Sequence, residues 1–289
     1  MKKIVLLGCE NSHAATFMNI IKNNPKYSDI EVIGCYSHET APMENLNTKF
    51  GIPMMESYDQ AVGEADGVVV VARHGDNHLK YAKPYFGTAK AMFIDKPITV
   101  KEEESLELIS LVKKHGVKIA GGSCIKYADF VKELKKDFAE NVNGETLSGV
   151  VRCPVKMENP HGGFYFYSQH LVEAVCEIFG RFPKSVTAVQ NEKTVTVVFR
   201  YQGFDVVGVF TDNVFSYSAV RMAKEGDKFG ALDITDACFE SEFDEFYEIL
   251  SGADQKVDNK EFISPVFILN AIERALKSGK EEAVKEYEV

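Results

Sequence analysis

The segment Phe93-Ile94-Asp95-Lys96-Pro97 sets an ammonium group between a carboxylate and a proline at the end of a short apolar run. Proline stiffens the turn. A lysine held there can donate a hydrogen bond to an oxygen that gains negative charge, its basicity tuned by burial and by Asp95. Out of context the same tripeptide is an ordinary surface turn. A second polar stretch, Ala72-Arg73-His74-Gly75-Asp76-Asn77-His78, leaves a continuous β-branched run, and Arg73 and His74 suit ligand contacts there as well as they suit a solvated loop. Further along, His170 and Glu173 stand three apart in a helical pattern, which puts them on one face. As metal ligands, His161, His170 and Glu173 lack a supporting spacing, and no metal is expected.

Gly8 stands between the first strand and the first helix, where a G-x-G-x-x-G nucleotide turn has its first glycine; the second and third positions hold Glu10 and His13. The second glycine ordinarily lets the backbone approach a pyrophosphate, and the third lets the helix pack closely on the strand. A carboxylate at position 10 facing a phosphate would cost roughly 4 kcal/mol at ~4 Å with an effective dielectric near 20. Either Glu10 turns away or the phosphates sit elsewhere. Asn11 and Ser12 suit a helix cap and can offer amides and a hydroxyl to a phosphate; a plain capped helix is the alternative. The second strand ends in Ser37-His38-Glu39, where an NAD site has an acid for the ribose 2′-hydroxyl. No arginine adjoins Ser37 to attract a 2′-phosphate, and NAD and NADP both stay open.

These side chains need a scaffold, and the apolar periodicity supplies one. Strand signals at 3–7, 31–36, 67–72, 91–94 and 117–120 alternate with helical patterns over 17–21, 42–50, 78–86 and 101–115, the order of a doubly wound parallel sheet of about six strands. From Leu147 onward strands follow one another without helices between them, over 147–155, 185–189, 194–201, 205–211 and 216–223, an antiparallel meander. Helices are expected at 168–179, 239–250 and 265–277. The fold class is therefore α/β: an N-terminal Rossmann domain over 1–122, and a C-terminal α+β domain with a mostly antiparallel open sheet over 123–289.

The formal net charge of −10 and the lack of a dense basic cluster argue against a nucleic-acid partner. The opening apolar run is too short for a signal peptide or a membrane span. The six cysteines are scattered without a CxxC pair, as expected of reduced, buried thiols. A cytoplasmic protein is expected.

The order of glycine turn, Val-Val-Val-Val-Ala strand with His78 beyond it, Asp95-Lys96-Pro97, and a helix ending in His115-Gly116-Val117 resembles the Gfo/Idh/MocA family of NAD(P)-dependent oxidoreductases. That family has a Glu-Lys-Pro turn, here Asp-Lys-Pro. Its substrate domain has a histidine helix preceded by a glycine-rich stretch, here His161-Gly162-Gly163 and then His170; the family's aspartate four residues before that histidine is Phe166. The resemblance implies hydride transfer between nicotinamide and a hydroxyl or carbonyl of a sugar, polyol or related small molecule, with Lys96 polarising the oxygen and His170 moving the proton. It implies that Gly8, Asn11, Ser12, His13, Ser37, His38, Ala72, Arg73, His74, His78, Asp95 and Lys96 hold the NAD or NADP. Lys126, His161, Tyr165, Tyr167 and Glu173 would line the substrate pocket. A non-enzymatic nucleotide- or ligand-binding protein of the same fold is the alternative, favoured by the two missing turn glycines. In the strands at 194–201 and 205–211, apolar residues fall on both faces, so a homodimer or homotetramer through the C-terminal sheet is expected.

Overall fold

A computed structural model describes all 289 residues. The first half alternates β1 (Lys2–Leu7), α1 (Ser12–Asn23), β2 (Ile30–Tyr36), α2 (Thr40–Phe50), β3 (Gly67–Val70), α3 (Asp76–Ala82), β4 (Ala91–Asp95), α4 (Glu102–His115) and β5 (Lys118–Gly122). The five strands form one parallel sheet in the order β2-β1-β3-β4-β5. The sheet has five strands where about six were expected, and beyond β2 only a single bridge joins Cys35 and Met54. Pro53 beside it has no N–H to extend the ladder.

The second half runs α5 (Asp129–Ala139), β6 (Thr146–Val155), α6 (Tyr165–Phe179), β7 (Ser185–Gln190), β8 (Thr194–Arg200), β9 (Asp205–Asp212), β10 (Ser218–Ala223), β11 (Lys228–Ala231), α7 (Asp236–Leu250), α8 (Asn259–Ser278) and β12 (Glu282–Ala283). Its seven strands lie in the order β11-β10-β6-β9-β8-β7-β12. The sheet is not a plain meander: β6 inserts between β9 and β10 and pairs with β9 in parallel. Its inner face, with Val151, Cys153, Val195, Val197, Phe199 and Phe210, packs on Leu171, Val172 and Val175 of α6. No helix is long and apolar enough to cross a membrane.

Every strand of the parallel sheet lies before residue 123 and every strand of the second sheet after it, yet two late helices return across that division. Phe243 and Phe246 of α7 pack against Phe17 and Phe93 on one face of the parallel sheet. Phe262, Val266 and Phe267 of α8 join Leu108 and Ile109 on the other. Burying each such ring contributes about 1.5–3 kcal/mol, so the first sheet gets part of its cover from the end of the chain.

Candidate active site

The C-terminal ends of β1, β3, β4 and β5 bring residues against the segment 156–170 of the second domain. At β1, Gly8 has φ +82°, and a Cβ there would lie 2.3 Å from the Ala72 Cα. Only glycine lets the turn rest on the end of β3. Ala72 is accordingly buried beneath it. Asn11 caps α1, its Oδ1 accepting from the His13 N–H at 3.2 Å.

Glu10 turns away from the mouth of the crevice. It is 5% exposed; its Oε2 accepts from the Ser37 Oγ at 2.9 Å and its Oε1 from the Arg73 N–H at 3.1 Å. The carboxylate thus lies in the floor, tied to the ends of β2 and β3, where backbone and hydroxyl donors satisfy it.

Asp95, fully buried, organises the end of β4. Its Oδ1 accepts from the Lys96 N–H at 2.7 Å and its Oδ2 from the Asn11 Nδ2 at 3.1 Å. His13 Nδ1 lies 2.7 Å from the same Oδ2, an ion-pair distance without the alignment of a hydrogen bond. Burial pushes the Asp95 pKa up, but His13, Lys96 and His78 outweigh it and hold the carboxyl below its ordinary value. The Lys96 ammonium then reaches into the cavity, 4.7 Å from the Phe166 ring centroid and 3.5 Å from the Phe166 carbonyl oxygen.

From the other side comes α6. His170 Nδ1 lies 2.6 Å from Oγ of Ser123, the residue that follows β5, which leaves Nε2 as the ring nitrogen available to the cavity. Burial, followed by the nearby Lys96 and His13, pushes the His170 pKa down to about 3 against the opposing pull of Asp95. A second tie between the domains is the Ile98 N–H, which donates to the Gln169 Oε1 at 3.0 Å.

The resulting cavity of about 390 Å³ brings together Asn11, Ser12, His13, Arg73, Lys96, His161, Tyr167 and His170 from the expected set, and adds Lys156, Asn159, Pro160 and Phe166. Other expected residues sit around rather than in it. Ser37 is buried against Glu10, and His38 is exposed beside Glu39. His74 is half-buried near Asp76. His78 is wholly buried with Nε2 at 2.7 Å from the Ala72 carbonyl oxygen, so it supports the loop instead of lining the crevice.

Three expected substrate contacts lie elsewhere. Lys126 donates to the Gly121 carbonyl at 2.8 Å and pairs with Glu245 at 3.3 Å. The Tyr165 hydroxyl donates to Glu273 at 3.2 Å from inside the core. Glu173 pairs with Arg181 at 3.1 Å and accepts from Gln169. Although His170 and Glu173 are three apart, the offset of about 60° between such positions around a helix is enough to send one to Ser123 and the other to Arg181. Of the residues missed, Lys156 follows directly on the end of β6, and its position after a strand was the one available signal. Ser123, as the partner of His170, gave none.

Residues 2–123 match the family model described as oxidoreductase family, NAD-binding Rossmann fold, of the Gfo/Idh/MocA type. Among curated proteins, the chain is 24% identical over 202 residues to 2,7-anhydro-N-acetylneuraminate hydratase of Escherichia coli (strain K12), covering 64% of this chain and 51% of the relative. It is 26% identical over 151 residues to glucose-6-phosphate 3-dehydrogenase of Bacillus subtilis (strain 168), covering 51% and 41%. The chain spans about half the length of these curated relatives. Among solved structures, scyllo-inositol dehydrogenase of Lactobacillus casei with bound NAD(H) and scyllo-inositol superposes with a TM-score of 0.85 at 15% identity, covering 98% of this chain and 99% of the other. The whole two-domain fold is thus shared with that structure, and residues 2–123 match the NAD-binding Rossmann fold of the Gfo/Idh/MocA oxidoreductases.

Proposed function

We propose that the chain is an NAD(P)-dependent oxidoreductase that transfers a hydride between nicotinamide and a hydroxyl or carbonyl carbon of a sugar, polyol or related small molecule. The observation that carries this reading is the convergence of Lys96 and His170, one from each domain, on a single cavity at the C-terminal edge of the parallel sheet. The dinucleotide fits the turn: Gly8 keeps the backbone flat against Ala72, and Glu10 is folded into the floor, so no carboxylate faces the phosphates. Gly8, Asn11 and Ser12 at the N-terminus of α1, and the backbone of the loop that follows Ala72, would hold it. When bound, the nicotinamide supplies the hydride acceptor or donor.

The chain's own groups handle charge and proton. Lys96 donates to the substrate oxygen and stabilises the negative charge that develops on it. With Nδ1 protonated and donating to Ser123 Oγ, His170 presents an unprotonated Nε2 to take the proton of a substrate hydroxyl, and returns it in the reverse direction. Asn11 and the backbone of residue 96 fix Asp95, which in turn fixes the direction of Lys96. The relatives named above act on glucose 6-phosphate and on an anhydro-N-acetylneuraminate, and the similar structure contains an inositol; these favour a polyhydroxylated substrate. A cytoplasmic location belongs to the same reading, since all six cysteines are free and buried.

Lys96→Ala tests it: kcat should fall by about 10² or more, with dinucleotide affinity nearly unchanged. Near-normal turnover would remove Lys96 from the mechanism. Phe166, at the position of the family's aspartate, favours the second reading, a ligand-binding protein without turnover. That reading expects dinucleotide binding by calorimetry with no nicotinamide reduction on any polyol tried.

We also propose that the chain pairs with a second copy through the outer face of its C-terminal sheet. Val220, Val150, Val207 and Val198 lie opposite one another across β10, β6, β9 and β8, and all four stay only half-buried in the single chain. Such an apolar row on a solvated face is the pattern of a covered surface, and a two-fold dimer, or a tetramer of two dimers, covers it symmetrically.

A further inference from the structure

The chain carries a formal net charge of −10, yet the wall of its cavity has the opposite character. Arg73, Lys96 and Lys156 line it with the imidazoles of His13, His161 and His170, and no aspartate or glutamate does. Two carboxylates at the strand ends beside it are already engaged. Asp95 lies in the floor with Asn11, His13 and the backbone of residue 96, and Glu10 is tied to Ser37 and Arg73 N.

None of the three cations forms a salt bridge, and the two lysines rest on aromatic faces. Lys96 Nζ is 5.6 Å and Lys156 Nζ 5.5 Å from the centroid of the same Tyr167 ring, and Lys156 is also 5.5 Å from that of Phe215. Two unit charges ~8 Å apart repel by about 2 kcal/mol at an effective dielectric near 20, so gathering three of them on a wall that has no carboxylate favours an anion in the cavity. The loop that brings in Lys156 and His161 is preformed. Asn159 Nδ2 donates to the carbonyls of Lys156 and Gly163 at 2.7 and 2.8 Å, and Asn159 Oδ1 accepts from the His161 N–H at 2.8 Å.

Building on the dehydrogenase reading, we propose that the substrate carries an anionic group, a carboxylate or a phosphate, held by Arg73 and Lys156 next to the hydroxyl or carbonyl that Lys96 and His170 address. Arg73 offers a planar fork to two anionic oxygens and Lys156 a point charge.

Calorimetric titration of the full chain tests this, using D-glucuronate, D-glucose 6-phosphate and neutral myo-inositol as probes, each with and without NAD. At least one anion should bind tenfold or more tightly than myo-inositol, and its affinity should fall as salt is raised from 0.05 to 0.5 M. Preference for glucuronate identifies a carboxylate site, and preference for glucose 6-phosphate a phosphate site. Lys156→Gln should lower that affinity about tenfold while leaving the NAD Kd within twofold, and Lys156→Arg should restore it. No tenfold preference for either anion overturns the proposal. So does a Lys156→Gln variant that loses NAD instead of the anion, since the cations would then serve the dinucleotide. Anion binding without any NAD binding would leave the anion site standing and remove the dehydrogenase reading. NAD binding without anion preference would do the reverse.

Discussion

Ser37 Oγ at the end of β2 donates to Glu10 Oε2 from the glycine turn, 2.9 Å away and 27 residues apart in sequence. The bond puts a carboxylate beside the strand end where NAD sites have an acid for the ribose 2′-hydroxyl, although the residue at that strand end is a serine. A 2′-phosphate brought to ~4 Å of it would meet a repulsion of about 4 kcal/mol at an effective dielectric near 20, less where solvent screens it. NAD should therefore bind at least about tenfold more tightly than NADP, and Glu10→Gln should narrow that gap, as fluorescence titration with NADH and NADPH can measure. An unchanged ratio would take Glu10 out of cofactor selection.

His170 is held neutral by burial and by the cations around it, its pKa pushed down to about 3. Its ring signals in an NMR titration should stay fixed between pH 5 and pH 8, so a limb of the pH–rate profile in that range belongs to another group. The same shift has a consequence for stability. A base whose folded pKa lies below its unfolded value, near 6.5, binds more protons when unfolded. Stability is then full above pH 6.5 and declines as pH falls toward 3. Denaturation midpoints of the wild type should drop between pH 6.5 and 4.5, and those of His170→Gln should drop less; equal slopes would contradict the assignment.

Val207 of β9 stands between Val150 and Val198 in the middle of the outer apolar row. Val207→Lys, which sets a charge in the centre of that face, should convert a dimer or tetramer to a species near 32.2 kDa in light scattering coupled to size exclusion. A wild-type chain already at that mass at micromolar concentration would remove the proposed pairing.

Glu242 of α7 is fully buried, and neither of its carboxylate oxygens has a partner. Burial first, then Asp95 and other nearby acids, pushes its pKa well above the ordinary carboxyl value, so the folded chain holds it protonated. The unfolded chain ionises it near pH 4.5, so its contribution is least unfavourable below that pH, and the folded state loses ground as pH rises. An unpartnered buried polar group costs about 1–3 kcal/mol whatever its protonation, and ionisation of the unfolded carboxyl adds to this above pH 4.5, so Glu242→Met should be stabilising by about 1 kcal/mol or more at pH 4.5 and by more at pH 8. Thermal melts at the two pH values decide it, and a variant less stable than wild type at pH 8 would show that Glu242 has a partner in solution.

The local rules of the chain carried a large part of the architecture. Short continuous apolar runs marked all five parallel strands and a period of 3.6 the helices between them, because each pattern is written within one element. Gly8 and Asp95-Lys96 were legible for a related reason: in a doubly wound sheet, ligands gather at the C-terminal strand ends, and those residues sit at two of them. His170 needed the family resemblance, since a histidine on an apolar helix has no local mark of function.

What the sequence left undecided depends on contacts between segments far apart in the chain. The direction of Glu10 follows from donors at Ser37 and Arg73. Glu173 leaves the cavity because Arg181 sits on the adjoining side of its helix, and Lys126 leaves it because Glu245 arrives on α7. The same distant packing puts α7 and α8 on the first sheet, inserts β6 between β9 and β10, and sets Lys156 and His161 opposite Lys96. Periodicity shows which face of an element is buried, but only the assembled tertiary structure determines what it is buried against.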